Sequence, residues 1–175
     1  EAAIHIMEEV HLALEKSSKM AAGRLACPIP SFFTGVHTGP VYLGFVGSQE
    51  GYIDYTVLGD SDNVAARLQG LAAKYSVPSL ISGDTFRASG KPSAWRLLDV
   101  VQVKGRQEPI DIYTKPSDLG SWLLFEEARS LYLAGDFIKA GPLFKSAGFP
   151  VFASRCTTLS TNPPSSWTGV WSWTN

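Results

Sequence analysis

The sequence predicts a mixed α+β fold, and three stretches carry that expectation. Ala3, Met7, Val10 and Leu14 recur at intervals of four, three and four, the spacing of an apolar helix stripe. Phe32–Gly47 reads FFTGVHTGPVYLGFVG, mostly β-branched, aromatic or glycine, and so extended rather than helical. Trp95–Val103 and Pro109–Thr114 flank the turn Lys104-Gly105-Arg106-Gln107 and should pair as a hairpin.

The first stripe fades near Lys16–Lys19, with His5 and His11 expected on its surface, and Cys27-Pro28-Ile29-Pro30 reads as a linker. Phe32–Gly47 should enter and leave a tight glycine turn, and Ser48-Gln49-Glu50-Gly51 should turn the chain into a second strand, Tyr52–Leu58. A helix follows, with Asp60 or Ser61 as N-cap and Val64, Leu68, Leu71 and Tyr75 as its buried stripe. Ser79–Ser82 reads as a short strand and Gly83–Ala88 as a short helix. Residues 1–115 therefore run α-β-β-α-β-α-β-β, a layer of sheet and helix. Strand signals stop at Pro116–Gly120. Trp122–Ala134 reads as helix, Gly135 as its stop, and Asp136 as the cap of a second helix reaching Ala147, kinked or shortened by Pro142. The expected division is 1–115, a linker at 116–120, a helical hairpin over 121–148 and an irregular Trp/Pro-rich tail over 149–175.

Composition excludes several classes of function. The 175 residues carry 15 Lys+Arg against 16 Asp+Glu, with no basic cluster, which argues against a nucleic-acid partner. No apolar run approaches the ~20 residues of a membrane span. The two cysteines, Cys27 and Cys156, are too few for a disulfide framework or a thiolate zinc site, so a reducing, cytoplasmic setting is expected. The chain opens at Glu1 inside an apparent helix and is read as a piece of a longer protein.

Chemistry concentrates in three blocks. Gly35–Gly47 carries glycines at 35, 39, 44 and 47; Tyr55–Leu68 reads YTVLGDSDNVAARL; Val103–Tyr113 reads VKGRQEPIDIY. No Gly-Lys-Ser/Thr follows the glycines, so they are not a Walker loop. Asn63 and Arg67 stand four apart and share one face of the helix whose other face is apolar. Read alone, such an Asn serves local backbone bonding and such an Arg is solvated. In series, the three blocks resemble the catalytic domain of class III nucleotidyl cyclases, over roughly residues 1–115. The resemblance implies a ferredoxin-like fold truncated at its N-terminus, with the C-terminal helical hairpin added.

It also implies formation of a cyclic 3′,5′-monophosphate and pyrophosphate from ATP, with GTP as the alternative substrate. Charge gathers on phosphate oxygens in that reaction, so fixed donors matter more than covalent chemistry. The family's pattern assigns Asn63 to orienting the ribose and Arg67 to the phosphates, Arg106 to the terminal phosphates and Thr56 to the purine edge. A hydroxyl such as that of Thr56 can meet either purine. His37 falls where the family commonly has His and is taken as structural. Asp62 departs from the family's usual Val, and a carboxylate there must face solvent, cap the helix or be paired.

The family's two metal-binding aspartates precede the first helix seen here, so Mg²⁺ or Mn²⁺ ligands are expected upstream or on a partner half, and none in this chain. Asp54, Asp60 and Asp62 are not replacements. A second cyclase half, identical or not, is the expected partner. Ala128, Leu131, Gly135, Phe137, Ala140, Phe144 and Ala147 resemble one tetratricopeptide helix pair; a packing appendage for the sheet is the favoured reading, and a surface for a protein partner the alternative. The rival readings are an inactive, cyclase-like regulatory half that binds nucleotide, and a helical protein-interaction module.

Overall fold

A computed structural model describes residues 1–21, 31–47 and 51–173. The expected linker at Cys27–Pro30 and most of the expected turn at Ser48–Gly51 lie outside the described residues. The chain divides into two compact units, Glu1–Ala73 with Pro78–Pro92, and Lys74–Val77 with Ser93–Asn175. Each mixes helices and strands, which makes the architecture α+β.

The first unit opens with α1 (Ala2–Ala21). Its buried residues are Ile4 and Met7, continued by the half-buried His11 and Leu14. The stripe is thus turned from the expected one: Ala3 is exposed and Val10 is 47% exposed, because apolar residues occur on more than one side of this helix. His11 is not a surface residue either, since its Nε2 lies 2.9 Å from Thr34 Oγ1 in a hydrogen bond.

Phe32–Gly47 forms two strands rather than one, β1 (Thr34–Val36) and β2 (Tyr42–Gly47), so one strand more than expected precedes the second helix. β2 pairs antiparallel with β3 (Ile53–Leu58), from Tyr42 opposite Leu58 to Gly47 opposite Ile53. α2 spans Asp60–Tyr75, and Val64, Leu68, Leu71 and Tyr75 are all buried, as their spacing predicts. β4 (Ser79–Ser82) is buried at every residue and pairs parallel with β1. α3 (Gly83–Ala88) is capped by Ser82, whose Oγ accepts from Thr85 N at 3.2 Å.

In the second unit, β5 (Arg96–Val103) lies between two partners. β6 (Ile110–Thr114) returns antiparallel to it, with a register shift between Leu97 and Asp99. α4 (Leu119–Leu133) and α5 (Phe137–Ser146) are capped by Asp118 and Asp136. Gly135 N donates to Tyr132 O and Asp136 N to Leu131 O, the paired bonds of a Schellman stop; Gly148 and Phe149 repeat the pattern after α5. Pro142 sits inside α5, which ends four residues later.

The expected irregular tail at 149–175 is corrected by two regular segments, α6 (Pro150–Thr161) and β7 (Val170–Trp173). Pro150 starts the helix, at a position whose N–H has no helical partner to lose. Phe152, Cys156 and Leu159 are buried at intervals of four and three. β7 pairs parallel with β5, Val170 to Trp173 against Val100 to Val103. Phe125, Phe144 and Phe152 join α4, α5 and α6, with ring centres 4.8 to 5.4 Å apart.

Candidate functional site

Helix α2 is set in place by close contacts at two levels. A Cβ on Gly35 would lie 2.3 Å from the backbone nitrogen of Gln69, so glycine alone lets β1 run against this stretch of helix. At the helix start, the Ser61 hydroxyl donates to the Pro40 carbonyl at 2.8 Å. Ser61 therefore binds the β1–β2 connection, where the sequence suggested a helix cap.

Asn63 and Arg67 follow on this fixed helix, off the fully buried positions Val64 and Leu68. Asn63 is exposed, and its Nδ2 reaches Gly59 O only at 3.5 Å, the long limit of a hydrogen bond. Its amide thus satisfies the local backbone weakly and stays open to another acceptor. Arg67 is half-buried, and its Nη1 is shielded from solvent with no hydrogen-bond partner among the described residues. A desolvated guanidinium N–H without an acceptor is costly unless an anion or other acceptor meets it. Asp62 is exposed, so its carboxylate is solvated and carries no burial cost. Thr56 lies on β3 opposite Gly44, on a strand exposed throughout.

Arg106 belongs to the second unit and is described there. Its N–H donates to Val103 O at 3.2 Å, closing a four-residue turn in which Gly105 has φ +81°. That angle at the third place is the mark of a type II turn and suits glycine. The Gln102 amide donates to the carbonyls of Arg106 and Gln107 at 3.4 and 3.1 Å, bracing the turn from within. Arg106 is half-buried and Lys104 is exposed.

His37 is held in a hydroxyl network. Its Nδ1 lies 2.8 Å from Ser82 Oγ, which in turn lies 3.1 Å from Thr85 Oγ1. Only 5% of the His37 side chain is exposed, consistent with a structural part. Among the described residues, no three His, Cys, Asp or Glu side chains gather as a metal site. Burial pushes the Cys156 thiol up to about 11, so it stays protonated and unreactive at neutral pH.

The sequence reading missed a buried polar cluster in the second unit. Arg155 Nη1 donates to Asp99 Oδ2 at 2.6 Å, and Tyr75 is hydrogen-bonded to both. The guanidinium also lies 4.6 Å from the Trp171 ring centre and 5.0 Å from that of Trp173. Burial pushes the Asp99 carboxyl up against the opposing pull of Arg155, and burial holds the Tyr75 phenol well above its ordinary range. One signal was available: a lone Asp in the apolar run LLDVVQV requires a buried partner.

No known family profile matches the chain. An adenylate cyclase of Anabaena cylindrica is 38% identical over 117 residues, 63% of this chain and 23% of that protein. Adenylate cyclase 1 of Rhizobium meliloti (strain 1021) is 35% identical over 101 residues, 57% of this chain and 15% of that protein. The terminal-differentiation specific adenylate cyclase of Dictyostelium discoideum is 38% identical over 82 residues, 45% of this chain and 4% of that protein. The chain spans less than a quarter of the length of these relatives. Among solved structures, a bacterial light-regulated adenylyl cyclase matches 46% of this chain and 22% of that one, at 30% identity and a TM-score of 0.39. The similarity to named adenylate cyclases supports a cyclase domain within this chain. Among the described residues, no helix is long and apolar enough to cross a membrane.

Proposed function

We propose that this chain is the carboxyl-terminal part of a nucleotidyl cyclase catalytic domain acting on ATP. The observation that carries the reading is Arg67: a half-buried guanidinium whose shielded Nη1 has no partner among the described residues, four residues from an Asn whose own bond is weak. In the reaction, the ribose 3′-hydroxyl gives its proton to water as its oxygen forms a bond to the α-phosphorus, and the α–β bridging P–O bond breaks, releasing pyrophosphate. Asn63 orients the ribose by its amide, and Arg67 meets the phosphate oxygens as charge collects on them. Arg106 binds the terminal phosphates, and Thr56 meets the purine edge. The Mg²⁺ or Mn²⁺ that the family uses would be held by carboxylates outside this chain, on an upstream segment or a partner half.

The test combines the chain with a separately expressed cyclase half bearing the carboxylates. Arg67→Ala should lower turnover on the order of a hundredfold, the typical cost of losing one charge-stabilising donor, with the melting temperature nearly unchanged. Turnover equal to wild type would remove Arg67 from the mechanism. A second reading, a cyclase-like half that binds nucleotide without catalysing, is favoured by the exposed Asp62 carboxylate beside Asn63. It predicts ATP binding with no product in the same mixture, and recovery of product in Asp62→Val if that charge is what blocks the reaction.

A further inference from the structure

The Arg106 turn sits at the end of β5, and the neighbouring strand there comes from the far end of the chain. β7 runs parallel to β5 with Trp173 opposite Val103, the residue whose carbonyl closes the turn. β7 has only four residues and lies at the margin of the sheet, so its backbone pairing alone holds it weakly. Its side chains supply the rest. The Trp171 and Trp173 rings pack on the Arg155 guanidinium, which is fixed to Asp99 of β5. The Trp173 indole N–H donates to Tyr75 OH at 3.3 Å, and Lys74 Nζ lies 4.4 Å from the Trp173 ring centre. Arg155 thus ties α6, β5 and β7 into one block that ends beside the turn.

We propose that β7 and its anchor Arg155 hold the Lys104–Arg106 turn in its ligand-binding shape, making the carboxyl-terminal segment a positioning element for a polyphosphate. The proposal rests on the reading of Arg106 given above. Residues far along the chain from every catalytic motif would then set how well Arg106 is presented. Anything that frees β7 would weaken phosphate binding without touching a contacting residue.

Hydrogen exchange on the full chain tests the coupling without any ligand. In Trp173→Ala, and in Arg155→Met combined with Asp99→Leu so that neither charge is left bare, the amides of Val103–Gln107 should exchange about tenfold faster, together with those of β7, while α4 and α5 keep wild-type rates. Should that double variant fail to fold, Trp173→Ala decides alone, because it removes a ring and leaves the Asp99–Arg155 pair intact. Fast β7 amides with an unchanged turn, or uniform acceleration across the unit, would overturn the proposal. A titration with inorganic tripolyphosphate supplies the second reading. Trp173→Ala should weaken binding about as much as Arg106→Ala, and Trp173→Phe should restore it. Wild-type affinity in Trp173→Ala, with Arg106→Ala impaired, would also overturn the proposal. If Arg106→Ala binds like wild type, Arg106 is not a phosphate contact and the functional reading falls, while hydrogen exchange still decides the coupling.

Discussion

Arg155 is 3% exposed, and its charge is balanced by Asp99, itself 2% exposed, and by the faces of aromatic rings. Removing one partner leaves the other charged in a place that water does not reach, whereas removing both leaves an apolar gap. Asp99→Ala should therefore cost about 3–5 kcal/mol, while Asp99→Leu with Arg155→Met should recover most of it. Urea unfolding of the single and double variants measures this, and a loss below about 1 kcal/mol in Asp99→Ala would show that the pair is not what holds the unit together. The contrast with Asn63 and Arg67 explains what the sequence could reveal. Those two share a helix, so their spacing of four is enough to put them on one face. Asp99 and Arg155 are 56 residues apart, and only the packing of α6 beside β5 makes them partners. The Arg106 turn was legible because Gly105 marks it locally, but the strand beside it was not.

Asp118 and Asp136 cap α4 and α5 by accepting from Ser121 N and Lys139 N. The Ser121 bonds hold the Asp118 carboxyl below its usual range, and the Lys139 side-chain and backbone bonds do the same for Asp136. A carboxylate whose pKa is lower folded than unfolded binds fewer protons in the native state across that interval. Its contribution is complete above the unfolded value of about 3.9 and is lost as pH falls through the folded one. Asp99, with its raised pKa, acts in the opposite sense, so the two effects must be separated. Asp118→Asn with Asp136→Asn does so, since Asn also caps but does not titrate. Thermal unfolding between pH 2 and 6 should show a shallower acid decline in the double variant, and an identical decline would remove the caps as its cause. The same helices show where pattern reading succeeds. Asp136 and the glycine stop at Gly135 were legible because capping is local chemistry. α6 was not, because a proline and a run of Ser and Thr resemble a loop, and what makes Pro150–Thr161 helical is the buried row Phe152, Cys156 and Leu159. In α1 the period was visible and the phase was not, because Ile6, Val10 and Leu12 are apolar yet exposed.

Much of the apolar surface that the composition supplies is not inside either unit. Tyr42 is 79% exposed, Phe45 77%, Ile53 65% and Tyr55 61%, all on the β2–β3 hairpin and on both of its faces. A two-stranded ribbon is marginal in water by itself, and apolar patches of this kind drive association. The chain should therefore self-associate reversibly as its concentration rises. Phe45 and Tyr55 face each other across the strands with ring centres 5.0 Å apart, so they can be replaced as a pair. Phe45→Lys with Tyr55→Glu puts opposite charges at directly facing positions, which keeps a favourable cross-strand contact while making the patch polar. Sedimentation velocity should show the wild-type average mass climbing with concentration and the variant staying at the 18.9 kDa of one chain, with unchanged circular dichroism. A wild-type chain that remains monomeric throughout, or a variant that associates equally, would mean that the exposed hairpin is not what brings copies together.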